Sequence, residues 1–153
     1  MGATRRTTRS WGSLILMLSA LASCSSDGLE PDPALAPFVG DWDATRLVLT
    51  SVANPDIAPD LIALGAAFKL NVQASGQYTA ILIYAEQAST EIGVITVSGN
   101  TVTLRRDFPT SSTTSATYVM SGNRLTLDGD SEFDFNLDGS PEAAVAHFEL
   151  LRR

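Results

Sequence analysis

The chain has 153 residues, enough for one domain, with 44% apolar and 18% charged residues. Its formal net charge of −7 argues against nucleic-acid binding, which needs a Lys/Arg surplus to neutralise phosphates. One Cys excludes an intrachain disulfide, and one His excludes a metal site built on two imidazoles.

Arg5, Arg6 and Arg9 precede an apolar run, Leu14-Ile15-Leu16-Met17-Leu18, which gives way to small residues before Cys24. A basic head, a short apolar middle and a small-residue break point make a secretion signal. The run is too short to span a bilayer as a helix, which takes about 20 residues. Thr4-Arg5-Arg6 lacks the hydrophobic residues that follow the arginines of a twin-arginine signal.

Leu21-Ala22-Ser23-Cys24 resembles a bacterial lipobox. The resemblance implies that residues 1–23 are a signal peptide that is removed. Cys24 would become the N-terminus and carry diacylglycerol and an N-acyl chain, making a membrane the first partner. Each buried methylene is worth ~0.8 kcal/mol, so several chains anchor the protein almost permanently. Ser25 stands where an Asp would favour the inner membrane, so the resemblance implies the outer membrane of a Gram-negative envelope. Residues 1–23 hold three of the ten basic residues and none of the seventeen acidic ones, so the mature charge is −10. Such a surface repels nucleic acid and anionic headgroups, and it keeps an exported domain soluble.

Ser25 to Pro37 (SSDGLEPDPALAP) has no apolar period and reads as a linker, so residues 24–37 form a lipidated tether and the domain spans 38–153. Within the domain, Ser75-Gly76-Gln77, Ser98-Gly99-Asn100 and Ser121-Gly122-Asn123 each lie between alternating apolar residues, with the glycines 23 residues apart. Gly supplies the positive φ of a tight hairpin, and the spacing fits two strands and two turns.

In chain order the pattern predicts strands at 38–50, 67–74, 78–85, 91–97, 101–107, 115–120, 124–127, 132–137 and 144–152. It also predicts a short helix over Pro59–Gly65, after the first strand, with Pro near its start and Gly near its end. Residues 78–84 are apolar on both faces, and that helix is the simplest cover. The fold class is all-β: an antiparallel meander of eight or nine strands, closed into a barrel that leaves no edges. A two-sheet sandwich is the competitor, and the regular hairpins argue against its crossovers.

Gly40-Asp41-Trp42 near the start of the domain and Leu150-Leu151-Arg152 at its end resemble the lipocalin-like proteins of bacteria. The resemblance implies that Trp42 closes the barrel floor and Arg152 packs across it. Arg46 falls in phase with Trp42, so either the first strand bulges or a charge enters the barrel.

Phe68, Leu82, Tyr84 and Tyr118, with Met120, either line a pocket for a small apolar molecule or fill a solid core. His147, out of phase with Phe148 and Leu150, faces solvent, and no Gly-x-Ser-x-Gly elbow accompanies it; no enzyme activity and no cofactor are expected. Asp134-x-Asn136-x-Asp138-Gly139 matches the front of an EF-hand loop, but Val145 stands where the closing Glu belongs. A strand followed by a turn is the simpler reading, and no metal is assigned. Asp107–Ser115 reads as a flexible loop. Two functions remain open. One is an envelope lipoprotein that binds a small apolar or amphipathic ligand; the other is a filled barrel that contacts proteins, through loops such as 107–115.

Overall fold

The computed structural model describes residues 32–153. The expected signal peptide, Cys24 and the expected linker as far as residue 31 lie outside the described residues. Eight strands follow in order: β1 (Gly40–Ser51), β2 (Ala67–Val72), β3 (Gln77–Tyr84), β4 (Gln87–Ser98), β5 (Thr101–Phe108), β6 (Ser112–Ser121), β7 (Arg124–Phe133) and β8 (Glu142–Arg152). Each pairs antiparallel with the next, and β8 returns to β1, from Trp42 opposite Arg152 to Ser51 opposite Ala144. The sheet is a closed up-and-down barrel.

The hairpin glycines Gly76, Gly99 and Gly122 have φ of 83°, 59° and 61°. Their turns all lie at the end where β1 starts and β8 finishes. This is the closed end; the opposite end carries the connections after β1, β3, β5 and β7. Inward positions are mainly apolar, among them Leu70, Val72, Ile95, Val102, Leu125 and Leu150. Outward positions of β7 and β8 carry Arg124, Asp128, His147 and Glu149, which pair with one another and with Arg46. This polarity is the reverse of a barrel that crosses a membrane with its strands.

Several expectations need correction. No helix forms over Pro59–Gly65; the helical element among the described residues is a 3-10 turn, Ala36–Phe38, before β1. β2 is short and pairs with β1 only from Gly40 to Asp43, so the wall beyond needs another partner. Residues 57–61 supply it: Pro59 and Ile57 carbonyls accept from the Leu49 and Ser51 amides, and the Leu61 amide donates to the Leu47 carbonyl. Asp60 Oδ1 accepts from Leu47 N and Ile62 N at 3.2 and 3.1 Å, which pins the strap. Backbone groups committed to β1 cannot also build a helix. The strap therefore does not cover the outer face of β3. Leu61 is buried beside Leu47 and Leu49, and Ile83 stays exposed.

The strands number eight, because Arg124–Leu127 and Glu132–Leu137 are not separate. β7 runs unbroken through Asp128-Gly129-Asp130, paired with β6 and β8 on its two sides. A Cβ on Gly129 would stand 2.8 Å from the Ser115 carbonyl and 2.9 Å from the Ala116 Cβ, so this glycine serves close strand approach rather than a turn. Most of the expected loop 107–115 is also strand, since β5 extends to Phe108 and β6 begins at Ser112. The tether ends earlier than Pro37: Leu35 is buried in the core with Phe38. These two are three residues apart, and a 3-10 turn puts such positions on one side. Arg46 stays outside the barrel, because β1 shifts register between Ala44 and Arg46 and returns Leu47 and Leu49 to the inner face.

A register shift also separates Ile92 from Gly93, with Asp107 the extra residue on β5. A Cβ on Gly93 would sit 2.0 Å from the Arg105 carbonyl oxygen. Backbone cannot yield as a side-chain tip can, so Gly93→Ala should cost ~1–3 kcal/mol or more. A urea midpoint unchanged from the parent would disprove this close approach.

Candidate functional site

The barrel interior differs between its two ends. At the closed end Trp42 is 1% exposed, and its indole Nε1 donates to the Phe38 carbonyl at 2.8 Å. The Arg152 guanidinium lies 4.5 Å over the Trp42 ring, and its Nη2 donates to the Pro37 carbonyl. Phe38 meets Tyr118 edge to face at 4.8 Å, and the Tyr118 hydroxyl donates to the Gly99 carbonyl at 3.1 Å. Tyr118 thus belongs to the floor, away from the other three expected pocket residues.

Phe68, Leu82 and Tyr84 do lie together on β2 and β3, where Phe68 pairs with Leu82. Phe68 packs on Phe148 at 5.0 Å, and Tyr84 faces Phe133 of β7 at 6.4 Å. Strands β3 and β7 stand on opposite walls, so the Tyr84–Phe133 pair spans the mouth. These rings are half-buried, unlike the floor. A hollow of about 200 Å3, lined by Leu82, Tyr84, Gln87, Ala88 and Ser89, opens at this rim. A second, of about 170 Å3, lies on the outer wall between Lys69, Asn71, Thr79 and Arg153.

Beneath the rim is a polar row that sequence reasoning missed. Tyr78 lies opposite Gly93, and Gly93 opposite Arg106; Ala80 lies opposite Glu91. Paired residues share a face, so Glu91 and Arg106 point inward with Tyr78. Arg106 Nη1 donates to Glu91 Oε1 at 2.8 Å, and its Nε donates to the Thr110 carbonyl at 2.8 Å. The two side chains are 31% and 43% exposed, so water reaches the pair through the mouth. Tyr78 is 1% exposed, and its hydroxyl has no partner among the described residues. Burial pushes the Tyr78 pKa up, the Glu91 and Asp107 carboxylates push it the same way, and the Arg106 guanidinium opposes them. The missed signal was phase: Glu91 keeps step with Ile95 and Val97, and Arg106 with Val102 and Leu104.

His147 lies on the outer face, with Nδ1 2.6 Å from Asp128 Oδ1 and Nε2 3.6 Å from Glu149 Oε1. Burial raises the Glu149 pKa, but hydrogen bonds from Arg46 and His147 outweigh it and the net shift is downward. This network ties β8 to β1 and β7. The 134–139 stretch closes on itself. Asp134 accepts from the Asp138 and Gly139 amides at 3.1 and 2.8 Å, and Asn136 accepts from Asp138 at 2.9 Å. Among the described residues no group of three or more His, Cys, Asp or Glu is placed to hold a metal.

No protein-family model matches the chain, and no similar sequence is found among curated proteins.

Proposed function

We propose that this chain is a lipocalin-like lipoprotein, anchored to the bacterial envelope through Cys24, that binds a small apolar or amphipathic molecule in its barrel without catalysis. The supporting observation is the asymmetry of the interior. One end is plugged by Leu35, Phe38, Trp42 and Arg152. The other presents half-buried rings, Phe68, Tyr84, Phe133 and Phe148, above an inward Glu91–Arg106 pair. Apolar walls with a few convergent polar groups are what small-molecule sites usually offer.

A filled barrel that serves protein contacts is the second reading. It is favoured by the size of the hollows, about 200 and 170 Å3, against ~300–1,000 Å3 for typical ligand pockets. Native mass spectrometry of the chain from residue 25 onward, isolated gently from a bacterial host, separates the two. The ligand reading expects an excess mass that is lost on denaturation. A bare mass that stays bare after incubation with fatty alcohols, fatty acids and phospholipids would establish the filled barrel instead.

A further inference from the structure

We propose that the inner row of Tyr78, Glu91 and Arg106 receives the uncharged hydroxyl head of an amphiphile whose chain lies along Leu82, Tyr84 and Phe68. This rests on the ligand-binding reading of the barrel.

The position of the row comes first. Inward residues of β4 descend from Gln87 through Ser89 and Glu91 to Gly93. At ~3.3 Å per residue, Glu91 lies ~7 Å below Ser89, which lines the rim hollow. Ala80 and Gly93 are the small residues on this path, paired with Glu91 and Arg106. Ala80 puts only a methyl group beside Glu91, whereas the Arg105 carbonyl fills the space beside Gly93. Leu82 and Tyr84 continue the inner face of β3 upward, and Phe68 pairs with Leu82. A chain with its head on the row therefore runs out along apolar side chains.

The chemistry of the row selects the head. The Tyr78 hydroxyl is buried and has a proton to donate but no acceptor among the described residues. Glu91 accepts from Arg106 through Oε1, which leaves Oε2 able to accept another hydrogen bond. A ligand hydroxyl answers both, accepting from Tyr78 and donating to Glu91. A carboxylate cannot donate, and it would set its charge against the free oxygen of Glu91, while Asp107 is already paired with Arg105 at 3.3 Å. An ammonium can donate to Glu91 but brings no acceptor for the Tyr78 proton.

The test is equilibrium dialysis of decanol, decanoate and decylamine at neutral pH. It uses the mature lipidated chain in nanodiscs, with empty nanodiscs as the blank. Decanol is expected to bind roughly tenfold or more tightly than either charged analogue, the scale of one or two hydrogen bonds. Tyr78→Phe should weaken decanol about fivefold to tenfold. This variant keeps the ring and removes only an unpartnered hydroxyl, so its unfolding midpoint should not fall. Glu91→Gln, which removes the negative charge, should narrow the gap between decanoate and decanol. Decanoate or decylamine binding as tightly as decanol would overturn the inference and leave the ligand reading standing. So would decanol affinity unmoved by Tyr78→Phe in a variant that folds. Retention of no probe at all would overturn the ligand reading itself.

Discussion

Replacing Trp42 with alanine should lower the unfolding free energy by ~3–5 kcal/mol, the range for truncating a buried aromatic. Three losses coincide at this position. The indole fills the space enclosed by Leu70, Val72, Leu125 and Leu150, so its removal leaves a void in the tightest part of the core. The Phe38 carbonyl loses the donor that ties the plug to β1. Arg152 loses the ring beneath its guanidinium, while its Nε is already buried without a partner. Trp42→Phe keeps most of the packing and gives up the indole N–H, so it should cost less, on the order of 1 kcal/mol beyond any packing change. A double-mutant cycle with Arg152→Met isolates the cation–π part, expected near ~0.5–2 kcal/mol. Urea unfolding followed by circular dichroism reads all five proteins. A loss below about 1 kcal/mol for Trp42→Ala would mean that this end does not hold the barrel closed.

The closed end was also the most legible part of the sequence, and the reason is local. A tight hairpin needs a positive φ within one or two residues, and Gly76, Gly99 and Gly122 declare it wherever the chain goes next. Trp42 and Arg152 pair directly across the β1–β8 seam, so the two terminal motifs fall opposite each other once the barrel closes. The opposite end was less legible because its connections are held by groups that leave no periodic trace. The 57–61 strap is fixed to β1 by main-chain hydrogen bonds and the Asp60 carboxylate, while its Pro and Gly punctuation suits a short helix equally well. Gly129 looks like a turn residue beside two aspartates, and only the neighbouring β6 backbone reveals why it lacks a side chain.

The polar row failed for another reason. Alternation was read to sort apolar residues inward and charges outward. Glu91 and Arg106 break that rule together, and each makes the other tolerable inside. Tyr118 shows the reverse limit. Its inward phase was legible, but whether an inward ring belongs to floor or mouth depends on its height along the barrel, and strand phase carries no height.

Changing Cys24 to serine should release the protein from the membrane almost completely. The expectation rests on the lipobox reading of Leu21-Ala22-Ser23-Cys24 and on what the rest of the chain offers a bilayer. One acyl chain binds membranes only marginally, whereas two or more make attachment effectively permanent, so losing the acceptor thiol removes the whole anchor at once. Little else compensates. Residues 24–153 carry a net charge of −10, which anionic headgroups repel. The barrel turns Arg124, Asp128, His147 and Glu149 outward, and these charges break up the exposed apolar residues such as Val145 and Leu151, so its wall does not replace the lipid.

On the lipobox reading, one end of the barrel would also lie nearer the anchor. The chain enters under Trp42, and the eleven residues after Cys24, as far as Leu35, reach at most ~40 Å. On that reading, the anchor would be joined to the closed end, and the aromatic mouth would be the end farther along the chain from the lipid. Fractionation of cells labelled with a radioactive fatty acid tests the anchor. The parent chain should carry label in the membrane pellet, and Cys24→Ser should be unlabelled in the soluble fraction. A Cys24→Ser protein still sedimenting with membranes would show that something other than acylation holds it there.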